Sequence, residues 1–271
     1  MKNLIFVFIF FINPLIYCQS VDDYFDLIHN SLENKNYIET IELCNNFLEI
    51  FSKDSRLSLV YVTRGLSNSE LGNYEKGNED FSIALSLKTD FDFAFYLRAC
   101  NYNTLKEYNK ALDDFNIAIK LNNKDAGYYF SRGESYLFLS EYKKAIEDYE
   151  NVIKINSKYD KAYYEMGLAY GYLKDFKNAL ICFTKVIEIS PNDSYAYYSM
   201  GMANLELKNY DDAKKNLEMT VKLNPEYAMG YFRLGYVCFI IEGKGICCEY
   251  WATSVKLGFE KANTFIQEYC K

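Results

Sequence analysis

The sequence has 271 residues and a formal net charge of −7, half of it apolar and 18% aromatic, which excludes a disordered chain and supports a sizeable core. Basic and acidic residues alternate instead of clustering, so no stripe of Lys and Arg can follow a phosphate backbone, and nucleic acid and anionic membrane surfaces are disfavoured as partners. With 13 Gly and only 3 Pro the chain has too few turn-formers for a strand-rich fold, so its 27 Tyr and 20 Phe must pack helix against helix.

The first element in chain order is the apolar run Leu4 to Ile12 after Lys2, broken at Asn13-Pro14 and resumed as Leu15-Ile16-Tyr17. It is too short and interrupted for a membrane span and reads as a secretory signal over 1–18, cleaved after Cys18 to leave Gln19 first. The alternative is a lipoprotein signal with Cys18 acylated, although Tyr17 is bulky where that motif takes Gly, Ala or Ser. Residues 19–57 follow as two helices joined at Asn36-Tyr37.

From Ser58 onward a repeat takes over. An aromatic-centred turn recurs as Asn73-Tyr74, Glu107-Tyr108, Glu141-Tyr142, Asp175-Phe176 and Asn209-Tyr210, with the aromatics 34 residues apart. The units are 58–91, 92–125, 126–159, 160–193, 194–227 and 228–257. Their eighth residues are all small (Gly65, Ala99, Gly133, Gly167, Gly201, Gly235) and their fourth all aromatic (Tyr61, Phe95, Tyr129, Tyr163, Tyr197, Tyr231). After each turn come Gly77, Ala111, Ala145, Ala179 and Ala213, then Phe81, Phe115, Tyr149, Phe183 and Leu217 one helical turn on. Two antiparallel helices per unit explain the pattern, because facing small residues let the backbones approach while aromatics one turn away fill the adjoining space. Neither helix can bury its face alone, so neighbouring units must share one core. A last helix over 258–271 places Phe259, Ala262, Phe265, Ile266 and Tyr269 on one face, as a cap.

This order of small, aromatic and alanine positions at a 34-residue period, with Pro191 and Pro225 closing two units, resembles the tetratricopeptide repeat. The resemblance implies an all-α, right-handed superhelical solenoid of antiparallel helix pairs, in which 19–57 is a degenerate N-terminal capping repeat with Ile28 in the small-residue place. The last unit, with Cys247-Cys248 before Trp251 and Leu257-Gly258 after it, resembles the ending of secreted tetratricopeptide and Sel1-like proteins of bacteria. The resemblance also implies that the first helix of each unit lines a concave groove. Its rungs would be Tyr96, Phe130, Tyr164, Tyr198 and Phe232, with Val62 in the first unit, and one turn further Leu66, Cys100, Glu134, Leu168, Met202 and Tyr236. Such a groove suits an extended or helical protein segment, with packing between neighbouring units as the competing role for the rings. It lacks the Lys and Asn rungs with which chaperone-binding members of the family hold a C-terminal carboxylate.

Catalytic chemistry has little to work with. His29 is the only histidine, Gly243-Lys244-Gly245 lacks the spacing of a phosphate loop, and no CxxC or His-Cys spacing points to a metal or other cofactor. The carboxylate pairs Asp113-Asp114 and Glu147-Asp148, at one place in the repeat, and Asp211-Asp212, four positions earlier in its unit, read as helix-start charge on solvated faces. Cys44, Cys100, Cys182 and Cys238 read as free small hydrophobes. Cys248 and Cys270 come to similar heights on antiparallel helices, where a disulfide would staple the cap; Cys247 is the competing partner, and no bond the remaining alternative. The expectation is a non-enzymatic exported scaffold for a protein or peptide, with a lipid-anchored structural protein of the envelope, or an enzyme using His29, as alternatives.

Overall fold

The structure is a computed structural model describing residues 20–243 and 245–270. These residues form 15 α-helices and no strand. Cα packing divides the chain into two compact units, one ending at Asn122 and the other beginning at Asn123. The signal segment 1–18, with Cys18, lies outside the described residues.

The first unit comprises α1 (Val21–Glu33), α2 (Tyr37–Ile50), α3 (Leu57–Glu70), α4 (Tyr74–Leu87), α5 (Asp92–Thr104) and α6 (Tyr108–Leu121). The second comprises α7 (Ala126–Phe138), α8 (Tyr142–Ile155), α9 (Asp160–Tyr172), α10 (Phe176–Ile189), α11 (Ser194–Glu206), α12 (Tyr210–Leu223), α13 (Ala228–Glu242), α14 (Ile246–Lys256) and α15 (Ala262–Tyr269). Within each unit every helix packs on the next in the chain, and α3 also touches α5, as α9 touches α11. That is the contact pattern of stacked helix pairs.

The same backbone device ends the first helix of pair after pair. Lys35, Gly72, Lys106, Ser140, Lys174 and Lys208 all sit at positive φ, between 60° and 80°. After α7 the N–H of Ser140 donates to Leu137 and that of Glu141 to Tyr136, at 2.9 and 2.8 Å, and after α9 Lys174 and Asp175 do the same toward Gly171 and Tyr170. These are the paired bonds of a Schellman cap, which satisfy orphan carbonyls and reverse the chain in about three residues. Only one of the six positions is glycine, so the others carry the steric cost of the left-handed region.

The small residues sit where helices touch. A Cβ on Gly167 would lie 2.6 Å from Cε1 of Phe183, and one on Gly133 would lie 2.8 Å from Cε1 of Tyr149. Their counterparts on the second helices of the same pairs, Ala145 and Ala179, are 0% and 1% exposed. In the first pair Ile28 replaces the small residue and is buried with Tyr24, Leu43, Cys44 and Phe47, so this pair packs through larger side chains. At the other end Trp251 is fully buried, donates from Nε1 to the Phe232 carbonyl at 3.2 Å, and is ringed by Phe239, Phe265 and Tyr269.

One expectation is corrected. Asp114 and Asp148 are not on solvated faces; they are 5% and 2% exposed and each is gripped by an arginine sixteen residues earlier. Arg98 donates Nε and Nη2 to the two oxygens of Asp114 at 2.7 and 2.8 Å, and Arg132 does likewise to Asp148 at 2.9 and 2.6 Å. Arg64 and Asp80 form the same pair in the preceding repeat. The reason is register: a residue on the second helix one turn from the small position faces the first helix, where a bidentate guanidinium compensates its desolvation. Asp211 and Asp212, in the first turn of α12, are exposed.

Candidate functional site: the aromatic face of the first helices

The first helices of successive pairs carry their rings in equivalent places, and each ring rests on the helix behind it. In the first unit Tyr96 is half-buried, stacked on Phe93 with centroids 6.1 Å apart and tilted over Phe115 at 6.0 Å. Val62, the counterpart in the preceding repeat, is buried and offers no rung.

In the second unit Phe130 stacks on Tyr159 at 5.2 Å and leans on Tyr149 at 5.6 Å. Tyr164 packs over Phe183 at 5.6 Å, and its hydroxyl shares a hydrogen bond of 3.3 Å with Oγ of Ser199 on α11. Tyr198 meets the face of Tyr227 nearly at right angles, with centroids 5.1 Å apart. All three rings are half-buried, so each keeps apolar surface in water. Phe232 differs and is a second correction: it is 8% exposed, covered by Phe259 at 4.9 Å and Phe265 at 5.0 Å. The segment after α14 folds back over α13 and covers this ring.

Two depressions flank these rings. One of about 480 Å³ lies among α9, α10 and α11, lined by Leu168, Tyr172, Tyr198 and Met202 among others. Another of about 260 Å³ is lined by Asp160, Lys161, Tyr164, Glu165, Asp193 and Tyr195.

The electrostatics of this face were only half legible. Glu134 on α7 is pushed up to about 7 by desolvation first and by the charge of Glu165 second, with Lys161 pulling the other way. Glu165 on α9 is also raised by desolvation. The phenol of Tyr149 is driven upward by burial and then by the charges of Glu165 and Glu134. Its ring is fully buried and its hydroxyl has no hydrogen-bond partner among the described residues. The available signal was that Glu134 is the one acid in its series of rungs and Tyr149 the one phenol in a series of Phe and Leu.

The remaining candidates are placed as follows. Cys248 and Cys270 are joined by a disulfide, with their Cα atoms 5.8 Å apart, while Cys247 is buried and free, its thiol donating to the Gly243 carbonyl. Cys44 and Cys182 are buried thiols pushed up to about 12 by desolvation, which makes them poor nucleophiles. His29 lies on the exposed side of α1, 3.2 Å from Glu33 one turn on. Among the described residues no three His, Cys, Asp or Glu side chains gather as metal ligands, and no helix is long and apolar enough to cross a membrane.

Comparison with known proteins agrees with this geometry. Family models described as tetratricopeptide repeat match residues 160–193 and 182–215, and one described as TPR repeat matches 139–174. No curated protein matches the sequence. Among solved structures, the C-terminal part of a TPR repeat-containing protein from Cytophaga hutchinsonii superposes with a TM-score of 0.77 at 21% identity, covering 89% of this chain and 98% of its own. A tetratricopeptide repeat protein from Parabacteroides merdae gives 0.65 at 16% identity, covering 92% and 98%. YrrB, described as a TPR protein with an unusual peptide-binding site, gives 0.61 at 19% identity, covering 70% and 99%. Residues 139–215 thus match the models of the tetratricopeptide repeat, and the described helices share the fold of tetratricopeptide-repeat proteins.

Proposed function

We propose that this protein is an exported, non-enzymatic scaffold that holds a protein or peptide segment across the aromatic face of the first helices in its second unit. The observation that carries the reading is the half-buried state of Phe130, Tyr164 and Tyr198, three rings in equivalent places that are supported from behind yet open in front. Rings held in this way lose little entropy when a partner covers them, which is the behaviour of binding anchors. The fold favours an interaction scaffold, and YrrB, of the same fold, is described by a peptide-binding site. Export is supported by the apolar N-terminal run and by the Cys248–Cys270 disulfide, a bond that persists in oxidising compartments.

The test pairs binding with folding. Tyr164→Ala and Tyr198→Ala should weaken retention of the native partner, captured by crosslinking from the cell envelope, by tenfold or more at an unchanged melting midpoint, roughly the loss of one anchor residue. Lys185→Ala, an exposed change within a surface pair with Glu188, is the control and should alter neither. Early melting of both tyrosine variants would make these rings core; normal melting with full retention would move the site elsewhere. Mass spectrometry of the mature N-terminus separates cleavage leaving Gln19 first from a lipid on Cys18.

A further inference from the structure

The fourth repeat lacks a side chain where its neighbours in the second unit carry a large one. Leu137, Leu205 and Phe239 stand at the twelfth position of their units, each packed against a buried cluster, and Gly171 stands there on α9. Nothing in the packing requires this glycine. It is helical, and a Cβ added to it would meet no atom within 4 Å, whereas one on Gly167, a turn earlier, would strike Phe183 at 2.6 Å. A helical glycine without such a contact is less stable than alanine, so what Gly171 contributes is open space.

That space is part of the depression of about 480 Å³ among α9, α10 and α11, a size typical of ligand pockets. Ala179, Phe183 and Ala203 line it and are buried, while Leu168 and Met202 line it and are half-buried. Tyr172 stands on its open side, stacked on Tyr142 with centroids 4.9 Å apart and planes 14° from parallel. The last repeat shows what such a space takes. There Trp251 holds the place of Phe183, and Phe239, the counterpart of Gly171, packs on Trp251 at 5.8 Å and on Tyr269 of α15 at 4.6 Å. Of the residues lining the depression Glu206 alone is charged; it is exposed and has no ion-pair partner within 4 Å among the described residues.

We propose that this depression is a pocket for one large apolar side chain of the bound protein segment, and that Glu206 selects a segment with a lysine or arginine beside that side chain. The inference rests on the groove reading above and adds which residue of the partner is read. A ring or branched aliphatic chain entering the pocket leaves water for contact with Phe183, Met202 and Ala203, and the space is already open, so no helix has to move. A carboxylate at the rim attracts a neighbouring cation and repels an acidic segment.

The test is selection of a displayed library of random twelve-residue peptides on the purified protein, followed by affinities of individual winners. The winners should share a Phe, Leu, Ile or Met with a Lys or Arg next to it. Replacing the shared apolar residue with Ala in the peptide should cost roughly tenfold or more, as for an anchor residue. Gly171→Leu, which fills the pocket from within, should cost as much with the parent peptide and almost nothing with the Ala peptide, at an unchanged or higher melting midpoint. Gly171→Ala should raise the midpoint and weaken binding by less. Glu206→Gln should weaken the parent peptide several-fold at low salt and little at high salt. Full affinity in Gly171→Leu, or winners lacking the apolar residue or its basic neighbour, overturn this inference, and so does a lower midpoint in Gly171→Ala, which would show that the fold itself needs the glycine. In each case the groove reading stands if Tyr164→Ala still weakens the peptides. Peptides indifferent to both Gly171→Leu and Tyr164→Ala, or a library that yields no binder, overturn both.

Discussion

Glu134 is a carboxyl placed where water is scarce, and its titration should be readable in folding stability. The charges that act on it are those of Glu165 and Lys161 on α9, and its own charge acts in turn on the phenols of Tyr149 on α8 and Tyr159 just before α9. Because its folded value is raised from 4.5 to about 7, the folded chain still holds this proton at pH values where the unfolded chain has lost it. Stability from this group is therefore fully present below about 4.5 and falls as pH rises toward about 7, with no further change above. The side chain is only partly buried, so screening reduces the effect to on the order of 1 kcal/mol. Glu134→Gln should accordingly be more stable than the parent by about that amount at pH 8 and equal to it at pH 4, measured by urea unfolding at both. An equal difference at the two pH values would assign the effect to packing. Asp148 shows the other solution to a buried carboxylate: it too is raised, by desolvation first, but Arg132 pulls it back through two hydrogen bonds.

At the scale of the helix pair, the close approach of α9 and α10 depends on what is missing at Gly167. A Cβ there would meet the Phe183 ring at 2.6 Å, and Phe183 is itself buried at 3% exposure, so it has nowhere to move. Gly167→Leu should therefore destabilise by roughly 1 to 3 kcal/mol or more, read as a lower midpoint in thermal or urea melts, with α11 loosened as well because it packs on α10. An unchanged midpoint would mean the two helices can separate without cost. The turn that follows is fixed by backbone geometry instead: the left-handed residue at Lys174 closes α9 through two hydrogen bonds that any side chain permits, which is why lysine or serine serves where glycine would be freer.

Across the whole molecule, cohesion is passed from each helix to its neighbours within a unit, and so the last helix is the weakest member. α15 is eight residues long, with Ala262 as its one fully buried residue, and it rests on α14 and on the rings around Trp251. The Cys248–Cys270 disulfide closes a span of 22 residues and restricts the unfolded chain, a stabilisation of roughly 3 kcal/mol for that length. Cys270→Ser should then speed amide exchange throughout α14 and α15 and uncover Phe232, while α9 and α10 exchange as before. A uniform increase over the second unit would instead show that its pairs unfold together.

The sequence by itself determined the helix pairs, because a period of 34 with small and aromatic residues in fixed places admits one way of burying both helices of each pair. It equally placed the rings of Phe130, Tyr164 and Tyr198 in equivalent positions, since position within a repeated unit is also position on a helix face. What it could not supply was the company each side chain keeps. Whether Asp114 meets water or Arg98 depends on a partner sixteen residues away and on the tilt of one helix over the other. Phe232 carries the same pattern as Tyr198, yet the chain after α14 turns back and covers it. Glu134 and Tyr149 are ordinary residues of two separate helices, and only packing desolvates the carboxyl of one and seals the hydroxyl of the other without a partner.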